Sequence, residues 1–273
     1  MTRSQKSFLI SIAQENGRLL RQGGYEKDRQ RHHFSSHVRD VQFFSQSRRV
    51  ALTSWAAGQL SRAEARISVI PGDTSEAAGD AVLNFASATT PGGGYLYGSP
   101  AQEECLCRET SLYASLTAPG AKAFYEENKK ERQPLFTHSF LISPHVDIFR
   151  RFGGGTYELL SPESVKTTAV LTVPAPDLSL LPQGFPRGKV RQTVQDRMRH
   201  FLSGAFWMGY RHLTLGAWGC GAFRHDAADI AADFRHILID EHWQSLFASI
   251  TFAIYPAGDI GRYNLEMFER EFM

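Results

Sequence analysis

The chain has 273 residues, of which 42% are hydrophobic, and a formal net charge of only +2. This composition supports a folded core and excludes an intrinsically disordered chain. The small net charge gives no general case for binding nucleic acids or membranes, and no stretch approaches the roughly 20 apolar residues of a membrane span.

Three cysteines, Cys105, Cys107 and Cys220, form an odd and sparse set. Such a set argues against a disulfide framework and favours buried free thiols in a reducing compartment. The apolar stretch at residues 8–13 is too short for a signal peptide and runs directly into polar residues. We therefore expect a cytoplasmic protein.

The first 64 residues are predicted to form a helical extension packed on a main domain of residues 65–273. Apolar residues at helical spacing predict a helix over residues 4–22, and a second helix is predicted over residues 50–63. Residues 25–47 are polar and are predicted to be irregular. The basic residues of this extension are better explained by a solvated surface than by a polyanion-binding patch.

Short apolar runs bounded by turn residues then predict the strands of one sheet. In chain order these runs lie at residues 67–70, 81–86, 140–142, 146–149, 169–173, 212–215 and 250–254. Helical patterns between them lie at residues 99–116, 189–209 and 227–239. This alternation predicts an α/β fold with a mixed or mostly parallel sheet covered on both faces. Ligands of such sheets bind beyond the carboxyl ends of the strands, so Asn84 and the loop at Gly216 are expected on one rim.

A triple glycine, Gly92 to Gly94, is followed after seven residues by Gln102, Glu103 and Glu104. Glycines let the main chain approach a ligand without a Cβ in the way. Carboxylates can hold a sugar hydroxyl and exchange a proton with it. The combination predicts an acid/base site for a phosphorylated sugar.

Ser99, Pro100 and Gln102 fit a capping box, which predicts a helix that starts at Ser99. Glu103 and Glu104 then lie in the first turns and point about 100° apart. A helix N-terminus lowers the pKa of a carboxyl, so a general acid here needs burial or a nearby phosphate to raise it. Alternatively, the two glutamates only stabilise the helix dipole, but the adjacent glycines disfavour that interpretation.

A second glycine-rich turn, Gly216 to Phe223, follows a predicted strand and precedes a predicted helix. Such a turn can aim several backbone N–H groups at a diphosphate. It lacks the lysine of a P-loop, and strand-to-helix turns use glycine for many reasons. Phe223 fits either the core or an aromatic wall beside a ribose or base. A further triple glycine at residues 153–155 predicts a hairpin turn.

Together these motifs resemble the bacterial-type poly(ADP-ribose) glycohydrolases. The resemblance is carried by residues 84–88, 91–94, 101–104 and 216–223 in the family's order and covers residues 65 to about 255. It implies the macrodomain fold, a three-layer α/β/α arrangement with a mixed central sheet, and it extends to the N-terminal helices.

The resemblance also implies roles for individual residues. Glu104 would be the catalytic acid/base, while Glu103 and Asn84 would hold hydroxyls of the terminal ribose. Gln102 would orient the glutamates, and Asp73 would accept a hydrogen bond from the adenine amino group. The residues that would wrap the ADP-ribose are Gly92, Gly93, Gly94, Gly219, Cys220, Gly221, Ala222 and Phe223.

The implied activity is hydrolysis of ribose–ribose bonds of poly(ADP-ribose) on modified proteins, with release of ADP-ribose from chain ends. No cofactor and no metal ion are expected, and the histidines show no metal-binding spacing. Two alternatives stay open: a macrodomain that binds ADP-ribose without cleaving it, and a hydrolase for mono-ADP-ribose. Gln102, Glu103 and Glu104 disfavour the first, because binding modules usually lack them.

Overall fold

The structure is a computed structural model that describes residues 1–131 and 133–273. The helices of this part of the chain are α1 Arg3–Arg21, α2 Arg49–Ala57, α3 Gln102–Glu109, α4 Leu112–Leu116, α5 Lys122–Lys130, α6 Arg187–Trp207, α7 Ala227–Arg235 and α8 Gly258–Phe272. The strands are β1 Gly24–Lys27, β2 Gln30–His33, β3 Gln42–Phe44, β4 Arg66–Pro71, β5 Ala81–Phe85, β6 Phe140–Ile148, β7 Arg150–Gly153, β8 Thr156–Leu159, β9 Lys166–Val173, β10 His212–Leu215 and β11 Ser249–Ile254.

The central sheet has seven strands in the order β3-β6-β9-β5-β10-β11-β4. From β9 to β4 each strand runs parallel to its neighbours. At the other end, β6 is antiparallel to both β9 and β3. The predicted mixed sheet is therefore confirmed.

Neighbouring residues along the strands point to opposite faces of this sheet. Val82 packs into a buried cluster with residues of α1, α3, α4 and α5, while Leu83 packs into another with residues of α2, α6, α7 and α8. Strand β9 shows the same alternation, because Val170 packs into the first of these clusters and Leu171 into the second. The three-layer α/β/α arrangement is thereby confirmed, since each face of the sheet is covered by helices.

The N-terminal region is not purely helical, so the prediction of an irregular segment over residues 25–47 is wrong. Strands β1 and β2 form a hairpin whose turn places Asp28 and Arg29 at φ 53° and 63°. Strand β3 joins the edge of the central sheet beside β6. The hairpin escaped detection because its turn contains no glycine and its strands are mostly polar. The domain boundary after residue 64 stays a prediction, although β3 ties the extension to the main sheet.

The two strands predicted over residues 140–142 and 146–149 are one strand, β6, which ends at Ile148. The pairing of β6 with β9 shifts register between Ser143 and Val146, so the strand carries an irregularity of the β-bulge kind. Pro144 lies inside this irregularity, where its missing N–H interrupts no regular ladder bond. The proline therefore marks a bulge and not a turn.

Three predicted helices have different limits in the structure. The helix predicted over residues 227–239 is α7 up to Arg235 and continues as a π-helix over His236–Asp240. The helix predicted over residues 50–63 ends at Ala57, and Gly58 follows as its cap. The helix predicted over residues 99–116 is divided into α3 and α4, because Thr110 adopts an extended conformation and forms a β-bridge with Ile148. The hairpin turn predicted at residues 153–155 is confirmed between β7 and β8.

In the part of the chain that the structure describes, no helix is long and apolar enough to cross a membrane.

Candidate active site

A cavity opens at the carboxyl ends of the parallel strands. It is lined by Gly72 after β4, Phe85 in β5, Ala175 after β9, Ala217 after β10 and Tyr255 after β11. These positions meet because the carboxyl ends of parallel strands share one edge of a sheet. The predicted common rim is therefore confirmed.

Helix α3 points its first turn at this rim but starts at Gln102, so the predicted capping box at Ser99 is wrong. Ala101 is the N-cap, and it offers no side-chain cap. The Gln102 amide is used differently: its Oε1 accepts from the Phe85 N–H at 2.9 Å, and its Nε2 donates to Thr74 Oγ1 and Leu83 O at 3.0 Å each. Gln102 thus joins the start of α3 to β5 and to the loop after β4.

Glu103 is buried, and both of its oxygens accept hydrogen bonds. Oε1 accepts from Asn84 Nδ2 at 3.2 Å, and Oε2 accepts from the Ser87 N–H at 2.7 Å. Burial raises the pKa of this carboxyl to about 8, and the two hydrogen bonds oppose that rise. The Oδ1 atom of Asn84 is also buried, and no hydrogen-bond partner for it occurs among the described residues.

Glu104 is held on one side only. Its Oε1 accepts from the Gly94 N–H at 2.7 Å. Its Oε2 is buried, and residues 1–131 and 133–273 supply no hydrogen-bond partner for it. One oxygen of Glu104 is therefore available for a proton or a ligand hydroxyl.

Gly93 is required by the close approach of this loop to the two carboxylates. Gly93 has φ 56°, and a Cβ there would lie 2.6 Å from Glu104 Oε1 and 3.0 Å from Glu103 Oε2. A Cβ at Gly94 would lie 2.1 Å from Ser99 Oγ. The approach of the three glycines to a ligand stays a prediction, and Gly93 also approaches the glutamates.

The turn from Gly216 to Phe223 lies across the same cavity. Gly219 has φ 80°, and a Cβ there would come within 2.8 Å of His225 and 2.9 Å of the Ala175 Cβ. Gly221 has open space around its Cα, and Phe223 lines the cavity. Cys220 is buried, burial raises the pKa of its thiol, and its backbone N–H donates to the Ala217 carbonyl at 3.1 Å.

The sequence-predicted residues thus fall into two groups. Asp73, Gln102, Gly219, Gly221, Ala222 and Phe223 line the cavity. Asn84 donates to Glu103 and Gly94 donates to Glu104, so these four residues form two separate hydrogen-bonded pairs. Gln102 lines the cavity and directly precedes Glu103 in α3, so it joins the cavity to these pairs.

Tyr255, Asn264 and Cys105 also line the cavity, and the sequence reasoning missed them. The position of Tyr255 directly after a predicted strand could have pointed to it. Asn264 lies in α8, for which the sequence analysis predicted no helix. Burial raises the pKa of the Cys105 thiol to about 11, so this cysteine is protonated at neutral pH.

Helix α1 holds the far end of α3. The buried Asn16 donates from Nδ2 to the Arg108 carbonyl at 2.8 Å, and its Oδ1 accepts from Arg150 Nε at 2.7 Å. Arg150 in turn donates to Glu15 Oε2 at 2.7 Å. The N-terminal helix therefore fixes the helix that carries Glu103 and Glu104.

We expect Asn16→Leu to lower both stability and turnover. The substitution leaves the Arg108 carbonyl and the Arg150 Nε without these partners, which should lower the free energy of unfolding by about 1–3 kcal/mol. Urea unfolding and kcat measure the two effects. Asn128→Leu is the matched control, because Asn128 is equally buried but holds Phe124 and Thr137 instead. A loss of stability with unchanged kcat in Asn16→Leu would disprove the coupling to α3.

The raised pKa of Glu103 predicts a pH-dependent stability. Because its pKa rises from 4.5 to about 8 on folding, the folded chain binds this proton more tightly than the unfolded chain. The resulting stability is full below about pH 4.5 and is lost as the pH rises through 8. Glu103→Gln should remove up to a few kcal/mol of the change in the free energy of unfolding between these two pH values.

Urea unfolding of the wild type and of Glu103→Gln between about pH 4.5 and pH 9 tests this expectation. Glu126→Gln serves as the control, since Glu126 is exposed and paired with Lys122. Parallel pH profiles for the wild type and Glu103→Gln would show that Glu103 titrates normally.

The fold and the site together define a class of protein. An α/β/α domain with a mixed sheet holds two buried carboxylates beside a glycine loop, at the rim where a phosphorylated ligand would bind. One oxygen of Glu104 is buried and has no hydrogen-bond partner among the described residues. This is the arrangement of an acid/base hydrolase built on a macrodomain.

Comparisons with known proteins identify the family. The microbial-type poly(ADP-ribose) glycohydrolase (PARG) catalytic domain matches residues 13–151. The crystal structure of PARG from Thermomonospora curvata matches with a TM-score of 0.85 and 32% identity, over 97% of this chain and 99% of that chain. The same enzyme bound to the inhibitor ADP-HPD gives a TM-score of 0.83, at the same identity and coverage.

PARG from Deinococcus radiodurans in complex with ADP-ribose matches with a TM-score of 0.77 and 34% identity, over 86% of this chain and 95% of that chain. No match was found among curated proteins. The chain therefore belongs to the microbial-type poly(ADP-ribose) glycohydrolase family, and it is a glycosidase.

Proposed function

We propose that this chain hydrolyses the ribose–ribose O-glycosidic bond of poly(ADP-ribose) and releases ADP-ribose, with Glu104 as the acid/base. The observation that carries the proposal is the unequal use of the Glu104 oxygens. The Gly94 N–H fixes Oε1, while the buried Oε2 has no hydrogen-bond partner in the described chain. A carboxyl group held in this way is oriented and still free to exchange a proton.

Glu104 acts twice in the proposed reaction. Its protonated form donates the proton to the bridging ribose oxygen as the bond from that oxygen to the anomeric carbon breaks. Positive charge develops on the anomeric carbon, where the neighbouring diphosphate stabilises it. Glu104, now ionised, accepts a proton from the water that attacks this carbon. One carboxylate serves both steps, in contrast to the two-carboxylate glycosidases, and no metal ion is required.

Glu103 and Asn84 are proposed to hold the terminal ribose. Both oxygens of Glu103 already accept hydrogen bonds, so this residue suits binding better than proton transfer. The unpartnered Oδ1 of Asn84 can accept from a ribose hydroxyl. Each hydroxyl held in this way fixes the anomeric carbon relative to Glu104.

The rest of ADP-ribose is proposed to lie along the cavity. The backbone from Gly219 to Phe223 can direct N–H groups at the diphosphate, and Phe223 offers an aromatic wall to the distal ribose. Asp73 is proposed to accept from the adenine amino group. Its Oδ1 accepts from the Ser75 N–H at 2.9 Å, which fixes the side chain at the cavity wall.

The proposed partners are proteins that carry poly(ADP-ribose), and cleavage is proposed to proceed from chain ends. We further propose that the enzyme acts in the cytoplasm, without nucleic-acid partners. The free state of Cys105, Cys107 and Cys220 supports a reducing compartment.

Incubation with a poly-ADP-ribosylated protein, in the presence of a chelator, tests the function. We expect monomeric ADP-ribose as the first product. Glu104→Gln is the control, and we expect it to release no ADP-ribose. Early release of longer oligomers would instead show internal cleavage. Binding of ADP-ribose without release would show a binding module. Release only from a mono-ADP-ribosylated protein would show a mono-ADP-ribose hydrolase.

A further inference from the structure

Arg197 of α6 carries a buried positive charge that has no acidic partner among residues 1–131 and 133–273. The residue is fully buried, and its guanidinium donates to the carbonyls of Pro174 at 2.5 Å and Leu135 at 2.7 Å. Its Nε has no hydrogen-bond partner in the described chain, and Arg197 forms none of the ion pairs found there. Carbonyl dipoles alone stabilise this charge, which is costly in a protein interior.

No neighbouring ionisable group forms an ion pair with Arg197 in the described chain. Burial lowers the pKa values of His138 and His200 to about 3 and about 4, so both rings are neutral at pH 7. Asp233 binds Arg191 at 2.7 Å, and Asp177 accepts from the Ser179 N–H and hydroxyl at 3.0 and 2.6 Å. No carboxylate of the described residues thus contacts the guanidinium of Arg197.

This charge lies directly behind the wall of the cavity. Pro174, whose carbonyl the guanidinium binds, is followed by Ala175, which lines the cavity. Ala175 packs closely on the turn from Gly216 to Phe223. A Cβ at Gly219 would lie 2.9 Å from the Cβ of Ala175. His225 holds the same wall, because its ring contacts Gly219 and its Nε2 lies 2.8 Å from the Pro176 carbonyl oxygen.

We propose that Arg197 is a positioning residue that draws the diphosphate of ADP-ribose onto the turn from Gly219 to Phe223 without touching it. The inference rests on the proposed function. The ligand's diphosphate supplies the negative charge that the guanidinium lacks within the protein. The buried segment at Pro174 and Ala175 separates the guanidinium from the cavity, and opposite charges across such a low-dielectric layer can change affinity by about tenfold or more.

The test compares two ligands that differ in charge. ADP-ribose carries the diphosphate, whereas adenosine has the same base and one ribose without it. Dissociation constants of both are measured by calorimetry or NMR for the folded full-length wild type, Arg197→Gln and Arg199→Gln. Arg199 is the matched control because it lies on the same helix but is paired with Glu241 and Asp196.

We expect Arg197→Gln to weaken ADP-ribose binding by about tenfold or more and to change adenosine binding by less than about twofold. Arg199→Gln should change neither. An equal loss for both ligands, or no loss for ADP-ribose, would overturn the role of Arg197. A wild type that fails to bind ADP-ribose would overturn the proposed function, and this inference with it.

Arg197→Lys gives a second measurement should the glutamine variant not fold. The pKa of a buried lysine falls, so its charge should disappear as the pH rises from about 6 to about 9. ADP-ribose affinity of this variant should then fall with pH more steeply than in the wild type, while adenosine affinity should not. Matching pH profiles for the wild type and Arg197→Lys would exclude an electrostatic role.

Discussion

Replacing Glu104 with glutamine should abolish turnover of poly(ADP-ribose) while leaving ADP-ribose binding largely intact. Glutamine keeps the size of the side chain and an oxygen that can accept from the Gly94 N–H, now 2.7 Å from Glu104 Oε1. Its amide neither donates an acidic proton nor accepts one near neutral pH, so general acid/base catalysis worth about 10²–10⁴ in rate is lost. Release of ADP-ribose measures the first effect, and calorimetry with ADP-ribose measures the second.

Glu126→Gln is the control for this experiment, because Glu126 is an exposed residue of α5. Its turnover should equal that of the wild type. Near wild-type turnover in Glu104→Gln would show that another group carries the proton. Loss of ADP-ribose binding together with turnover would show that Glu104 mainly holds the ligand.

Gly93→Ala should reduce turnover at least about a hundredfold, because a displacement of about 1 Å at a catalytic group costs that much. The new Cβ would lie 2.6 Å from Glu104 Oε1 and 3.0 Å from Glu103 Oε2, so one carboxylate or the loop must move. The φ of 56° at Gly93 adds backbone strain of about 1–3 kcal/mol for any residue with a Cβ. Steady-state kinetics and thermal unfolding measure the two effects.

Gly154→Ala separates the effect of backbone strain from the effect of a steric clash with the glutamates. Gly154 has nearly the same φ, 57°, but a Cβ there would meet no atom within 4 Å. This variant should therefore lose stability and keep its turnover. Equal kinetic losses in the two variants would show that the clash with the glutamates is not the cause.

The spacing of the triple glycine and the glutamates made the site recognisable before the structure was known. These residues are close in sequence, and a loop of seven residues before α3 keeps them close in space. The rim was also predictable, because Asn84 near the end of β5 and the turn at Gly216 after β10 belong to buried strands that run in the same direction. The local sequence pattern was sufficient to predict contacts between residues that lie close together along the chain.

Other features depended on partners far apart in sequence. Asn16 meets the carbonyl of Arg108, 92 positions away, and nothing in the polar pattern around Asn16 indicates this contact. Strand β3 is only three residues long and becomes a strand because β6 lies beside it. Hydrogen-bond partners of this kind are chosen by packing, so propensity and periodicity do not specify them.

The sequence by itself determined the fold class, the family and the residue types at the site, since these follow from apolar periodicity and short motifs. Only the tertiary structure decided the unequal hydrogen bonding of the two glutamates. Adjacent carboxylates look equivalent in sequence, but Asn84 and Ser87 engage both oxygens of Glu103, while Gly94 engages one oxygen of Glu104. Burial then makes the remaining Glu104 oxygen distinctive, because a buried polar atom without a partner is costly unless a proton or ligand meets it.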